Sequence, residues 1–192
     1  MKQKIFPGTL FLVVGNSGSG KDSIINEAIK KYPKELKKLY APRRYITRPP
    51  SETEDNIFIN EKEFKRLDEE GKFVLTWHVY ELSYGIPKKV DNLLIMGNPV
   101  VLNVSRTVIP KARKKYKNLK VINISVPIEI IRKRIFKRGR EDDENLESRF
   151  ERAKKFKGFS DFDYEIQNIG ELNDAVTLFL NYIASVIKKT EE

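Results

Sequence analysis

The chain has 192 residues, 40% of them hydrophobic, and a formal net charge of +10. It is long enough for a substantial core, and no apolar run approaches the roughly 20 residues that cross a bilayer. With no cysteine and one histidine, disulfides, thiol catalysis, cysteine-bound zinc and a multi-histidine metal site are excluded. The N-terminus, Met1-Lys2-Gln3-Lys4-Ile5-Phe6-Pro7, leads directly into an apolar run. It lacks the apolar segment and cleavage site of a secretion signal, so a cytoplasmic protein is expected. Thr9–Val14 predicts a buried first strand, and Lys21–Lys31 a first helix with Ile24, Ile25, Ala28 and Ile29 at helical period. Further strands are expected at Tyr45–Thr47, Phe73–Trp77, Val100–Val104, Val121–Val126 and Tyr164–Gln167. Further helices are expected at Glu61–Glu69, Lys88–Met96, Val108–Tyr116, Ile128–Lys137, Leu146–Phe156 and Leu172–Lys188. In the last of these, Ala175, Val176, Phe179, Leu180, Ile183 and Val186 form a packing face. This alternation predicts an α/β domain with a mostly parallel sheet covered on both faces.

Between the first strand and the first helix lies Gly15-Asn16-Ser17-Gly18-Ser19-Gly20-Lys21. It has the G-x-x-x-x-G-K spacing of a phosphate-binding P-loop. The glycines let backbone N–H groups turn inward around a triphosphate, and the helix presents its positive end to the same anion. Lys21 reaches the outer phosphates as a point charge. The next residue in such loops is Ser or Thr, whose hydroxyl holds magnesium. Here it is Asp22, followed by Ser23. Two readings stand: a carboxylate ligand for Mg²⁺, or a favourable acid in the first turn of a helix.

Two stretches read as insertions. One spans about 40–87 and carries Thr47-Arg48-Pro49-Pro50, the acidic run Glu52-Thr53-Glu54-Asp55, and Leu82-Ser83-Tyr84-Gly85. The other spans about 138–157 and opens with Arg138-Gly139-Arg140-Glu141-Asp142-Asp143-Glu144. The core is then 1–39, 88–137 and 158–192. A P-loop core, an acceptor-side insertion and an arginine-bearing lid describe a small phosphoryl-transfer enzyme that excludes water from its two substrates. Between Arg106 and Arg140 there are thirteen Lys/Arg and one acid, Glu129. The basic residues are spread over two expected helices without the interleaved aromatics of a single-strand platform. Phosphorylated small molecules and a solvated surface therefore explain the charge better than nucleic acid, and no membrane partner is expected.

Several blocks resemble the guanylate-kinase-like branch of the P-loop kinases. They are the P-loop, Tyr45-Ile46-Thr47-Arg48, Ser83-Tyr84-Gly85, Lys137-Arg138-Gly139 with Arg149, and Phe162-Asp163-Tyr164. The resemblance implies a three-layer fold with a central parallel sheet, a mobile acceptor domain and a mobile lid. The acceptor side departs from guanylate kinase. Thr76 stands where that family reads guanine with a Glu, Asn103 and Ser105 replace strand acids, and Ser51 and Asn56 replace a clamp Arg and Tyr. A pocket built to hydrogen-bond a base depends on such polar groups, so a different acceptor is expected.

The ribose 1,5-bisphosphate phosphokinase family is a closer match. The chain is similar to it at Ser17-Gly18-Ser19-Gly20-Lys21-Asp22-Ser23, Arg44-Tyr45-Ile46-Thr47-Arg48, and Trp77-His78 followed by Tyr84-Gly85. It is similar again at Val101-Leu102-Asn103-Val104-Ser105-Arg106, Pro110-Lys111-Ala112-Arg113 with Tyr116, and Arg138-Gly139-Arg140-Glu141. The resemblance implies transfer of the γ-phosphoryl of ATP, with Mg²⁺, to a phosphorylated sugar. Gly15 to Ser23 would hold ATP, with Lys21, Arg138, Arg149 and Arg140 offsetting charge on the moving group. Arg48 and Tyr84 would hold one acceptor phosphate, and Arg44 and Arg106 the other. Asn103 and Ser105 in place of acids remove repulsion from an anionic acceptor. The nucleophile would be an ionised phosphate oxygen, so no general base is expected. His78 is either an acceptor-pocket residue or an ordinary half-buried one. Asn168 is either near the adenine or a turn residue. The competing readings are a guanylate or other nucleoside monophosphate kinase and a non-catalytic binding module. The intact Gly20-Lys21 and the lid arginines argue against the module.

Overall fold

The computed structural model describes residues 3–49, 55–79, 81–138, 156 and 158–191, with 135–138 and 190–191 as backbone. The chain divides into two units, Met1–Leu12 with Pro33–Leu119, and Val13–Tyr32 with Lys120–Glu192. The division falls inside the first strand, β1 (Leu10–Gly15). From Leu10 to Val14 every residue of that strand is fully buried, as an apolar run covered on both faces requires.

In the first unit β6 (Val100–Asn103) is the neighbour of β1. A second four-stranded sheet lies in the same unit, in the order β3 (Ile57–Phe58), β2 (Tyr45–Ile46), β5 (Leu82–Pro87), β4 (Phe73–Val79). It is mixed: β2 pairs parallel with β3 and antiparallel with β5, which pairs antiparallel with β4. The expected insertion at 40–87 falls wholly within this unit. Strands β3 and β5 are absent from the sequence expectation. Polar Ser83 and Gly85 interrupt the apolar pattern of β5, yet Ser83 is buried because its hydroxyl and backbone all find partners. Helix α2 (Glu61–Glu69) starts where Asn60 accepts a hydrogen bond from the Glu63 N–H at 2.8 Å, and it buries Phe64. Helices α3 (Lys89–Ile95) and α4 (Ile109–Lys115) complete the unit, with a 3₁₀ turn at Arg106–Val108.

In the second unit the order is β1, β7 (Leu119–Ser125), β8 (Tyr164–Gln167), with β7 and β8 parallel. Asp163 fixes their register. Its backbone N–H donates to the Val121 carbonyl at 2.8 Å, and its carboxylate accepts from the Val121 N–H at 2.7 Å. Helix α1 (Lys21–Lys31) follows the loop after β1 and buries Ile24, Ile25 and Ala28. Helix α5 (Ile128–Arg138) follows β7. Helix α6 (Leu172–Glu191) buries Ala175, Val176, Phe179, Ile183 and Ile187 along one stripe. The helix expected at Leu146–Phe156 and most of the lid segment lie outside the described residues.

Candidate active site

In the second unit the loop between β1 and α1 is shaped by its glycines. Gly18 and Gly20 have φ of 80° and 89°, a region that side chains enter at a cost. A Cβ on Gly20 would stand 2.5 Å from the Asn168 amide nitrogen, and one on Gly15 would stand 2.5 Å from the Ile124 carbonyl. The Lys21 ammonium folds back over the loop, donating to the carbonyls of Gly15 and Asn16 at 2.9 Å each, with the Ser19 hydroxyl at 3.5 Å. The Lys21 charge is thus held over the loop at the positive end of α1. Asn16 and Gly18 are half-buried, Ser17 and Ser23 are exposed, and Asp22 is a half-buried first-turn residue of α1.

Asn168 follows β8 and is 4% exposed. Its side-chain amide donates to the Ser19 carbonyl at 2.8 Å, its N–H donates to the Ser125 carbonyl, and its own carbonyl accepts from Arg134. The sequence reading did not foresee these partners, because each comes from a distant part of the chain.

In the first unit Arg44, just before β2, is the hub. Its Nε donates to Asn56 Oδ1 at 2.9 Å, and one terminal nitrogen donates to the Asn103 carbonyl at 3.1 Å. Its guanidinium lies 5.7 Å from the centre of the Tyr84 ring. Arg44, Tyr84 and Asn103 are therefore brought together, with Asn56 as a further member. The sequence reading counted Asn56 as a lost clamp residue; here it orients the arginine. Trp77 is stacked on the same Tyr84 ring.

Arg48 stands just past β2 and is half-buried, as is Arg106 in the 3₁₀ turn. Ser105 caps that turn, its hydroxyl accepting from the Thr107 N–H at 3.2 Å. His78 sits on β4 with its imidazole exposed and its Nδ1 3.0 Å from the Ser83 hydroxyl. Ser83 in turn donates its proton to Glu61 at 2.7 Å, so Nδ1 is the donor of the first bond. The Phe64 ring meets the imidazole edge-on. Of the lid arginines, Arg140 and Arg149 lie outside the described residues, and Arg138 is described only as the last backbone residue of α5.

The family model for guanylate kinase matches residues 8–186. The ribose 1,5-bisphosphate phosphokinase PhnN of Methylobacterium radiotolerans is 37% identical over 177 residues, covering 92% of this chain and 98% of the relative. The protein of the same name from Rhodopseudomonas palustris is 40% identical over 78% of this chain and 76% of its own. That from Brucella melitensis biotype 2 is 35% identical over 95% of both. Among solved structures, a guanylate kinase from Anaplasma phagocytophilum has a TM-score of 0.71 at 18% identity, over 93% of this chain and 85% of that one. At that identity the likeness is one of fold.

Proposed function

The chain belongs to the guanylate kinase family and is a close relative of the ribose 1,5-bisphosphate phosphokinases within it, and from that premise we propose its reaction. It transfers the γ-phosphoryl group of ATP to the 1-phosphate of ribose 1,5-bisphosphate, giving 5-phosphoribosyl 1-diphosphate and ADP. A 1-phosphate oxygen forms the new bond to the γ-phosphorus. The bond from that phosphorus to the β–γ bridging oxygen breaks, and the electron pair leaves with ADP. The nucleophile is already ionised, so no side chain has to remove a proton. The observation that carries the acceptor assignment is Arg44. It is held by Asn56 and the Asn103 carbonyl against Tyr84, and the resemblance puts Thr76, which is not an acid, where guanylate kinases read guanine. That is a cationic, planar phosphate receptor without a base-reading carboxylate.

The phosphate loop, Gly15 to Ser23, holds the ATP phosphates, and Lys21 bridges toward the γ-phosphoryl. On nucleotide binding its ammonium exchanges the Gly15 and Asn16 carbonyls for phosphate oxygens. Arg44 and Arg106 hold one acceptor phosphate, and Arg48 with the Tyr84 hydroxyl the other. Asn103 and Ser105 keep the strand end uncharged, and His78 buttresses the acceptor sheet through Ser83. Arg138, Arg140 and Arg149 offset charge on the moving group.

Among the described residues no three His, Cys, Asp or Glu side chains converge on one point. That suits Mg²⁺, which is held largely by phosphate oxygens and water with one or two carboxylates. Asp22 is the residue that would hold it. When bound, the ion neutralises β- and γ-oxygen charge. Also among the described residues, no helix is long and apolar enough to cross a membrane. We place the reaction in the cytoplasm, where ATP is available.

The test is incubation of the purified protein with ATP, Mg²⁺ and either ribose 1,5-bisphosphate or GMP, following ADP and the phosphorylated product. Formation of 5-phosphoribosyl 1-diphosphate with negligible GDP is expected. GDP as the main product would assign the chain to guanylate kinase chemistry instead.

A further inference from the structure

Asn168 is buried where three elements of the second unit meet. Its N–H is bonded to the end of β7 at Ser125, its carbonyl to Arg134 of α5, and its side-chain amide to the Ser19 carbonyl in the phosphate loop. Ser19 is itself fully buried. Water therefore offers no substitute for the 2.8 Å bond between them. The amide's orientation follows from its partner, because the reverse placement would set two acceptor oxygens face to face.

The Ser19–Gly20 peptide is trans, no cis bond occurring among the described residues, and a trans peptide is close to planar. Its carbonyl and the Gly20 N–H therefore point in opposite directions. Holding the Ser19 carbonyl on Asn168 turns the Gly20 N–H away from β8. The same amide nitrogen closes the space beside the Gly20 Cα, where a Cβ would stand 2.5 Å from it. With φ of 89°, Gly20 is at once the residue that permits this peptide orientation and the one that leaves room for the amide. Asn168 acts on the loop at the residue just before Lys21.

We propose that Asn168 is a positioning residue for the phosphate loop: its buried amide fixes the Ser19–Gly20 peptide so that the Gly20 N–H and the Lys21 ammonium are set for polyphosphate, with no reading of the nucleoside base. This rests on the phosphate-loop part of the proposed function and is independent of which acceptor the enzyme takes. It stands as an alternative to the readings of Asn168 as an adenine neighbour or a turn residue.

The probes are MgATP and inorganic tripolyphosphate with Mg²⁺, each titrated calorimetrically against wild type, Asn168→Ala and the near-isosteric, neutral Asn168→Leu. Thermal unfolding is recorded alongside. Both probes should weaken by the same factor, about tenfold or more for a buried acceptor left unpaired, and the KM for the acceptor should stay unchanged. A loss for MgATP with tripolyphosphate unaffected would make Asn168 an adenine contact and overturn the proposal. A lowered Tm with both affinities intact would reduce it to a packing residue, with the same consequence. Should Asn168→Ala fail to fold, Asn168→Leu carries the same comparison, because it roughly keeps the volume and removes the donor without adding a charge that would repel both probes. Wild-type protein that binds neither probe would overturn the phosphate-loop reading and the inference together. Failure of ribose 1,5-bisphosphate as acceptor would leave these binding results untouched.

Discussion

Trp77 and Tyr84 face each other across β4 and β5 as registered partners, their rings 5.1 Å apart and 5° from parallel. Trp77 is 7% exposed, so one ring is a core element and the other carries its hydroxyl at the half-buried edge. Packing and phosphate binding can therefore be separated at Tyr84. Tyr84→Phe keeps the stack and the ring under Arg44, and should raise the acceptor KM about tenfold, as for a hydrogen bond to a charged group, with a smaller loss of Tm than Tyr84→Ala. Tyr84→Ala should lower both Tm and activity. An unchanged acceptor KM in Tyr84→Phe would remove the hydroxyl from the site.

Arg44 tests whether charge or shape matters. Arg44→Lys retains a cation but loses the planar fork that meets Asn56 and the Asn103 carbonyl at once. We expect the acceptor KM to rise by about tenfold or more, as for loss of a bidentate charged contact, with the ATP KM unaffected. Equal KM values in steady-state assays would mean that Arg44 is scaffolding only.

Lys21 and Asp22 divide the work at the start of α1. Lys21→Met should cut kcat by about 10²–10³-fold, the scale of losing one preorganised charge stabiliser. Far-ultraviolet circular dichroism should be unchanged. Asp22→Ala should raise the Mg²⁺ concentration for half-maximal rate much more than it lowers Tm. An unaltered Mg²⁺ dependence would support the helix-start role of that carboxylate.

In the first unit a buried cluster contributes to stability. The Tyr116 hydroxyl donates to Asp91 at 2.7 Å, and Lys4 pairs with the other carboxylate oxygen. Asp91→Ala leaves that hydroxyl without its acceptor and should cost about 1–3 kcal/mol in urea unfolding. Burial first, and then the Asp91 contact, push the Tyr116 phenol well above its ordinary pKa. Its contribution is therefore fully present below about pH 10, the unfolded value, and is lost as pH rises beyond it. Lys115, whose pKa burial lowers, acts in the opposite sense. The difference between wild type and Tyr116→Phe isolates the phenol, and should shrink above about pH 10. A difference constant with pH would place the effect in packing alone.

Much of this was legible along the chain. The phosphate loop, α1, α2, β8 and the apolar faces of β1 and α6 follow from short-range rules: glycine spacing, helical period and continuous apolar runs. The mixed sheet of the first unit did not. The apolar pattern of its β5 is broken by Ser83 and Gly85, and only pairing on both sides makes these into strand residues. Asn56 looked like a missing clamp residue because its meaning depends on Arg44, twelve positions away, folding back onto it.

By itself the sequence determined the G-x-x-x-x-G-K run before α1, the alternation of strands and helices, and the uncharged side chains at Thr76, Asn103 and Ser105. Each of these is a property of local spacing or residue chemistry. Only the tertiary structure decided what Arg44, Trp77 and Asn168 touch. Hydrogen bonds and ring stacking act over a few ångströms in space. Asn168 reaches Ser19 across 149 positions of chain, a distance over which sequence pattern carries no signal.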